Sequence, residues 1–588
     1  MHPRNRRIHV LSFVSLLTAS LLPIPTVLAQ STSRQIGTQF EVTADSLVPR
    51  PAEQPCVVPL FANYQFAHFS QSTQTFEFTP PGNCAGPWEK VVLEADFSEN
   101  GGVQFDRTAS LYIANANLYF GTTPEPLATL TNTWHIERDV TDYSALFATP
   151  QQGTIVLANC TTDCPPPFNT TLNGVFTVNA SLEFYPAQRG HGDDSNRGND
   201  HRGQRAPDQV LPLTQTNGSG GINLPATLGS PTDQLSTTFT LPANTEQAYL
   251  DVVSQSQSTD EQWYGCFPND LAGINDVYGC GNTDFRETEV AIDGKLAGIA
   301  PVSPWVFTGF LPDQWVPMPG AQTLDFVPYR VNLTPFAGLL SNGRPHTIAL
   351  SVFNDDNFFS ATASLLLFLD SRSTQVTGAV TKNTLTGPTP VVTENLQGTS
   401  TVTGTINVAV NRNFTIAGYV HTSHGKVTTT VSAQQNFSGT QTIDFDTVNA
   451  TVLDQKTDVE NSVSSATTVS GDEGTVVTQD NFSFPITVDF IFPVSSSPFG
   501  FTVTTGQKYQ AGKAVSRGGH VIYATAVTNS VNATDVSPAS SSQTYTSSDS
   551  DGTFYNCHIA SANNILTTVS RGCSPDTDKD QAKDKDKD

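Results

Sequence analysis

Short runs in which apolar and polar residues alternate recur along most of this chain, and a period of two is that of strands buried on one face. Val91-Val92-Leu93-Glu94-Ala95, Leu111-Tyr112-Ile113, Thr154-Ile155-Val156-Leu157-Ala158 and Gly174-Val175-Phe176-Thr177-Val178 are examples between residues 30 and 186. Their lengths, and the turn residues between them, predict a β-sandwich. A second set occupies 210–371, with strands expected at 237–241, 248–253, 287–292, 346–353 and 361–369. It closes on Ser364-Leu365-Leu366-Leu367-Phe368-Leu369-Asp370, the counterpart of Ala180-Ser181-Leu182-Glu183-Phe184-Tyr185-Pro186 in the first. The pattern predicts two sandwiches of similar size in tandem.

Residues 372–573 are richer in Thr, Ser and Asn, with further strand-like runs at 404–409, 415–421 and 426–431, and predict a C-terminal β-rich domain. Two segments break the alternation. Residues 187–209 hold Arg-Gly-His-Gly-Asp-Asp-Ser-Asn-Arg-Gly-Asn-Asp-His-Arg-Gly and read as a linker or exposed loop. Residues 574–588 alternate Asp with Lys and read as a disordered charged tail. At the other end, Arg4, Arg6 and Arg7 precede the apolar run from Val10 to Leu22, and Val27-Leu28-Ala29 supplies a small-residue cleavage site. Residues 1–29 therefore read as a secretory signal, with a mature chain from near Gln30. No other stretch approaches the ~18 consecutive apolar residues of a membrane span, so the expectation is an all-β secreted protein with no membrane partner.

The formal charge of −25, with no basic stripe, argues against a nucleic-acid partner. Eight cysteines fall into four close pairs: Cys56 with Cys84, Cys160 with Cys164, Cys266 with Cys280, and Cys557 with Cys573. In an exported chain such neighbours read as disulfides that staple local loops. No CxxC and no clustered histidine accompanies them, so they do not suggest a metal site. Asp355-Asp356-Asn357 lacks the full spacing of a Ca²⁺ loop and reads as a turn, while His421 and His424 are too sparse to hold a metal alone. Nucleophile elbow, phosphate loop and dinucleotide fingerprint are all missing, and no metal or cofactor is expected. Sequons such as Asn169-Thr170-Thr171 and Asn436-Phe437-Ser438 are numerous; they carry sugar in a eukaryotic secretory route and mean nothing in a bacterial one.

Only 14% of the residues are charged, so carboxylates set beside arginines draw attention. Two segments have that form, Val103-Gln104-Phe105-Asp106-Arg107-Thr108 and Asp284-Phe285-Arg286-Glu287-Thr288-Glu289, each at the start of a strand-like run. On a strand beginning near Gln104, parity puts Phe105, Arg107, Ala109, Leu111 and Ile113 on the core face. Asp106 then points to solvent or to whatever covers that sheet. In the second segment the carboxylates again leave the more apolar face. Just upstream, Asp260-Glu261-Gln262-Trp263-Tyr264 places acids beside aromatics, a composition suited to a sugar, whose apolar side stacks on a ring while its hydroxyls meet carboxylates.

Gln104-Phe105-Asp106-Arg107, Pro124-Glu125-Pro126, Trp134, Asp139-Val140-Thr141-Asp142-Tyr143, Trp263-Tyr264, Phe285-Arg286-Glu287, Leu333-Thr334-Pro335-Phe336 and Ser423-His424-Gly425 resemble, in order, the peptide N-glycosidase A family. A fainter likeness reaches peptide N-glycosidase F. It implies two eight-stranded jelly rolls packed side by side with the active site between them, followed here by the C-terminal β-rich domain. The implied reaction hydrolyses the amide between an asparagine and the first N-acetylglucosamine of an N-glycosylated peptide, leaving aspartate. The catalytic aspartate of the fainter likeness falls on Asp106. Its second-domain glutamate falls on Asn282, which leaves Glu261 and then Glu287 as candidates for the second acid. Arg107, Arg286, Trp263 and Asn282 are the implied substrate-binding residues. A non-catalytic carbohydrate-binding protein and an endo-glycosidase are the alternatives.

Overall fold

The computed structural model describes residues 42–82, 84–125, 128–164, 172–187, 205–272, 280–307, 318–449, 451–472, 474–495, 500–563 and 565–573. The expected signal at 1–29, residues 188–204 of the expected linker at 187–209, the charged tail and the Asn169 sequon lie outside these residues.

Alternation does what the sequence suggests. In the strand Phe176–Pro186, Phe176, Val178, Ala180, Leu182 and Phe184 turn inward while the residues between them are half-buried or lie at the edge. Eight strands form the first sandwich: Cys56–Phe66, Thr73–Phe78, Trp88–Glu99, Thr108–Ile113, Ala116–Thr122, Asn132–Asp139, Gln151–Leu157 and Phe176–Pro186. Numbered in chain order, they build one antiparallel sheet in the order 1-8-3-6 and another in the order 2-7-4-5, which is the jelly roll.

The second sandwich uses Ala226–Leu228, Leu235–Phe239, Thr245–Gln257, Glu287–Ile292, Lys295–Pro301, Tyr329–Asn332, His346–Phe353 and Phe358–Leu369. Numbered afresh, these repeat the same two orders, 1-8-3-6 and 2-7-4-5, and Gln209–Pro212 adds a ninth strand against the last. The fold is therefore a tandem jelly roll. The rolls meet through the hairpin Thr108–Thr122 of the first, whose outer side packs on the second: Phe120 clusters with Val253, Trp305 and Phe326. Gly121 permits this approach, because a Cβ there would collide with the Leu324 carbonyl oxygen.

Residues from Thr377 to Val569 form one antiparallel sheet of twelve strands, three of which run for 21 or 22 residues. One face of this sheet is apolar. Val408, Val410, Phe414, Ile416, Phe437, Val459 and Ile486 share a single core with Trp263, Phe285, Val290, Leu350 and Leu365 of the second roll. All four cysteine pairs are disulfides, with Cα separations from 4.5 to 6.2 Å. Ahead of the first roll, residues 42–50 reach in two directions. The Ala44 N–H donates to Gln543 Oε1 of the large sheet, and Arg50 pairs with Glu94, Glu137 and Glu183 on the first roll.

Candidate active site

The hairpin at the roll interface turns on Ala114 and Asn115, both at positive φ (51° and 65°), as a two-residue hairpin turn requires. Thr108 pairs with Thr122, so the residues beyond the open end, 106–107 and 123–125, lie side by side. Glu125 Oε1 accepts the Asp106 backbone N–H at 3.0 Å, and Thr123 Oγ1 accepts that of Arg107 at 2.9 Å. The hairpin thus carries two carboxyl groups and a guanidinium at one end. Thr108 Oγ1, meeting Gln255 Oε1 at 3.0 Å and Gln257 Nε2 at 3.1 Å, ties that end to the second roll.

From the second roll comes Glu261, on the loop that follows Thr245–Gln257. Ser256 Oγ donates to the Glu261 carbonyl at 3.1 Å and itself receives Trp305 Nε1 at 3.0 Å. Asp260, fully buried, anchors the loop from beneath: Oδ1 accepts Arg286 Nε and Nη2 at 3.1 and 2.8 Å, and Oδ2 accepts the backbone N–H groups of Asp356 and Asn357. The Cys266–Cys280 disulfide closes the far side. Two amides of the large sheet hold the same loop, Gln441 Nε2 on the Cys266 carbonyl and Gln455 Nε2 on the Gly265 carbonyl, both at 2.9 Å.

Asp106 and Glu125 thereby gather beside Arg107, Glu261 approaches the two acids from the second roll, and their charges interact. Burial raises the Asp106 carboxyl to about 6, against the partial relief of Arg107 and a hydrogen bond with Glu125. Glu125 is pushed up by burial and by the Asp106 charge, and Glu261 by burial and by both other acids. Behind them Glu99, with no exposed surface, is raised to about 9 by burial. Arg107 is lowered by burial, although Asp106, Glu125 and Glu99 all favour its charge. Like charges this close do not all ionise together, so the first carboxylate to form, Asp106, stands beside acids that keep their protons. Such a set offers a base and proton donors at one pH.

A family model described as peptide N-acetyl-beta-D-glucosaminyl asparaginase amidase A matches residues 46–385, more than half of the chain. The chain belongs to this family. Peptide-N4-(N-acetyl-beta-glucosaminyl)asparagine amidase A of Prunus dulcis is 29% identical over 402 residues, 66% of this chain and 66% of that protein's length. Among solved structures, PNGase F, a glycosylasparaginase from Flavobacterium meningosepticum, is 15% identical with a TM-score of 0.35, covering 54% of this chain and 97% of that one. PNGF-II is 12% identical with a TM-score of 0.36, covering 53% and 66%.

In this amidase A family member the expected residues divide into two groups. Asp106, Arg107 and Glu261 come together at the roll interface. The strand expected from Gln104 starts at Thr108, and Ser110 and Tyr112 are as buried as Leu111, because the second roll covers the face that parity assigned to solvent. Asp106 is half-buried for the same reason. The other expected residues need correction. Arg286 and Trp263 have no exposed surface and cannot touch a substrate: Arg286 is spent on Asp260 and on the carbonyls of Gly281, Thr283 and Phe285, and Trp263 packs in the shared core near Phe437. Glu287 is equally buried and pairs through both oxygens with Arg412 of the large sheet. Asn282 spends its hydrogen bonds on Asn269, Asn354, Asp355 and Asp356, knitting two loops together.

Glu125 was missed as a site residue, although Pro124-Glu125-Pro126 is part of the family resemblance. Pairing arithmetic around a turn at Ala114-Asn115 would have set it against Asp106, but alanine at positive φ hides that turn. Two clusters among the described residues have metal-ligand spacing, Glu94 with His135 and Glu137, and Glu246 with Asp370 and His424. Arg50 already pairs with both glutamates of the first, Arg205 and Ser423 bond to the acids of the second, and neither cluster includes a residue of the acid site.

Proposed function

We propose that this protein hydrolyses the amide joining an asparagine side chain to the first N-acetylglucosamine of an N-glycosylated peptide, releasing the glycan intact. What carries the reading is the meeting of Asp106 and Glu125, beside Arg107 on the first roll, with Glu261 of the second, in a member of an amidase family.

An amide is opened by water once a base activates the nucleophile and donors stabilise the tetrahedral oxyanion. Asp106, the acid that ionises first, takes a proton from water as its oxygen bonds to the carbonyl carbon. Arg107 and the protonated Glu261 donate to the developing oxyanion and to the core sugar. As the C–N bond breaks, the glycosylamine nitrogen takes the proton, leaving aspartate on the peptide and a free glycosylamine. Glu125 holds the Asp106 backbone and hydrogen-bonds its carboxylate, while burial raises that carboxyl toward the pH at which a base is both ionised and basic. The four disulfides support work in an oxidising compartment outside the cytoplasm.

Mass spectrometry of a treated glycopeptide tests this directly. Amide hydrolysis converts Asn to Asp, a gain of about one dalton over the unglycosylated peptide. An endo-glycosidase leaves a sugar stub and a lectin changes nothing; either result would overturn the reading.

A further inference from the structure

Parity along the large sheet separates its sequons from its core. In Asn413-Phe414-Thr415 and Asn436-Phe437-Ser438 the phenylalanine enters the core shared with the second roll, so asparagine and hydroxyl residue both face outward. Asn481-Phe482-Ser483 has the same parity, with Phe482 against Tyr329 of the second roll. Register brings the three together. Asn413 lies across from Gln434, Gln434 from Ser464 and Ser464 from Asn481, so one row holds two acceptors about 14 Å apart. In the next row Ser462 stands between Asn436 and Ser483.

Two other sequons are closed by their surroundings. Asn159, in Asn159-Cys160-Thr161, is buried, and its Nδ2 donates to the Phe66 and Gly174 carbonyls at 2.7 and 3.0 Å. Asn332, in Asn332-Leu333-Thr334, donates to Thr467 and accepts from the Thr334 N–H, and Thr334 is itself buried. By contrast, the Nδ2 atoms of Asn413, Asn436 and Asn481 donate to no other described residue. Asn413 and Asn481 are exposed and Asn436 half-exposed. Between Asn413 and Asn481 runs a groove of about 490 Å³, floored by Ser432, Ser464 and Ala466 and walled by Gln434 and Gln479. No charged side chain lines it, although the chain carries a net charge of −25.

We propose that Asn413, Asn436 and Asn481 are N-glycosylation sites, and that their glycans cover the outer face of the large sheet, with the innermost sugars seated along this neutral groove. At each site Nδ2 bonds to C1 of N-acetylglucosamine as the bond from C1 to a lipid diphosphate breaks. The amide loses one proton and the diphospholipid leaves, so the co-reactant is an oligosaccharyl diphospholipid of a eukaryotic secretory route. Hydroxyls and amides of the groove are matched to a neutral polyhydroxyl occupant, and a covered face is withheld from sheet-to-sheet association.

Peptide mapping of the full chain secreted by a eukaryotic host tests the assignment. The Asp106→Asn form is used, so that release of its own glycans cannot empty the sites. Expected are glycans on all three asparagines, loss of one glycan mass with each of Thr415→Ala, Ser438→Ala and Ser483→Ala, and bare Asn159 and Asn332. Bare Asn413, Asn436 and Asn481 beside a glycosylated loop residue Asn217 would overturn it, as would sugar on Asn159 or Asn332. These readouts come from mass alone, so they stand or fall separately from the amidase reading.

Discussion

The two jelly rolls share one strand order, and the two acid-and-arginine segments occupy the same place in it, at the start of the fourth strand of each. Their chemistry nevertheless differs, because of what lies outside each roll. In the first, the end of the hairpin meets a loop of the second roll that brings a further acid, Glu261, rather than a buried cation toward Asp106 and Glu125. In the second, Arg286 is closed by Asp260 and Glu287 by Arg412 from the large sheet. Charge of the same kind at the same topological position becomes a candidate catalytic set in one roll and internal bracing in the other. Neutralisation by neighbours, rather than strand order, decides which.

The sharpest way to break this contrast is a pair of substitutions. Asp106→Asn is expected to lower glycan release by ~10²–10⁴-fold, the usual span for removing a general base, with an unchanged denaturation midpoint. Glu287→Gln should do the reverse, costing about 3–5 kcal/mol in denaturant melts by leaving Arg412 buried without its partner, while the folded fraction keeps its turnover. Equal behaviour of the two variants would erase the distinction. The arginines sharpen it: Arg107→Lys is expected to cost about 10–100-fold in kcat/KM through loss of the planar fork, and Arg286→Lys to act on stability instead.

Acidity offers a subtler probe. Activity should rise with pH through about 6 as Asp106 ionises and fall again where Glu261 loses its proton; Glu261→Gln should remove the alkaline fall. For Glu99 the sign follows from the folded state binding its proton more tightly than the unfolded chain does. Its stabilising proton is held below the ordinary range near 4.5, and stability is lost as pH rises from there toward about 9. Glu99→Gln should therefore gain melting temperature relative to the parent at pH 8 more than at pH 5. The smallest effect is expected of Gln441→Leu, which leaves the Cys266 carbonyl unpaired: about 1–3 kcal/mol of stability and a few-fold fall in turnover as the Glu261 loop loosens.

Strands carrying one clean face were legible in the sequence. His346–Phe353 and Glu287–Ile292 appear with the bounds their alternation predicts. The long strand Thr401–Thr422 read as two pieces, 404–409 and 415–421, because Asn411-Arg412-Asn413 breaks the apolar face. Arg412 does face inward, and its break in the pattern is the ion pair with Glu287. Asp106 and Arg107 were legible through family resemblance, since parity alone left their side open between solvent and a covering surface. The burial of Arg286 and Trp263 was not, because a loop residue next to an acid looks alike whether the third layer covers it or leaves it bare.

The arm at residues 42–50 has a consequence in time. Asp45 bonds to Gln543, 498 positions later, and Tyr555 donates to the Ala44 carbonyl. At ~5–20 residues per second of synthesis, the arm waits on the order of half a minute or more for those partners to exist. The earliest of the described residues to be made are thus among the last to find their place, and their docking waits until synthesis has passed Tyr555.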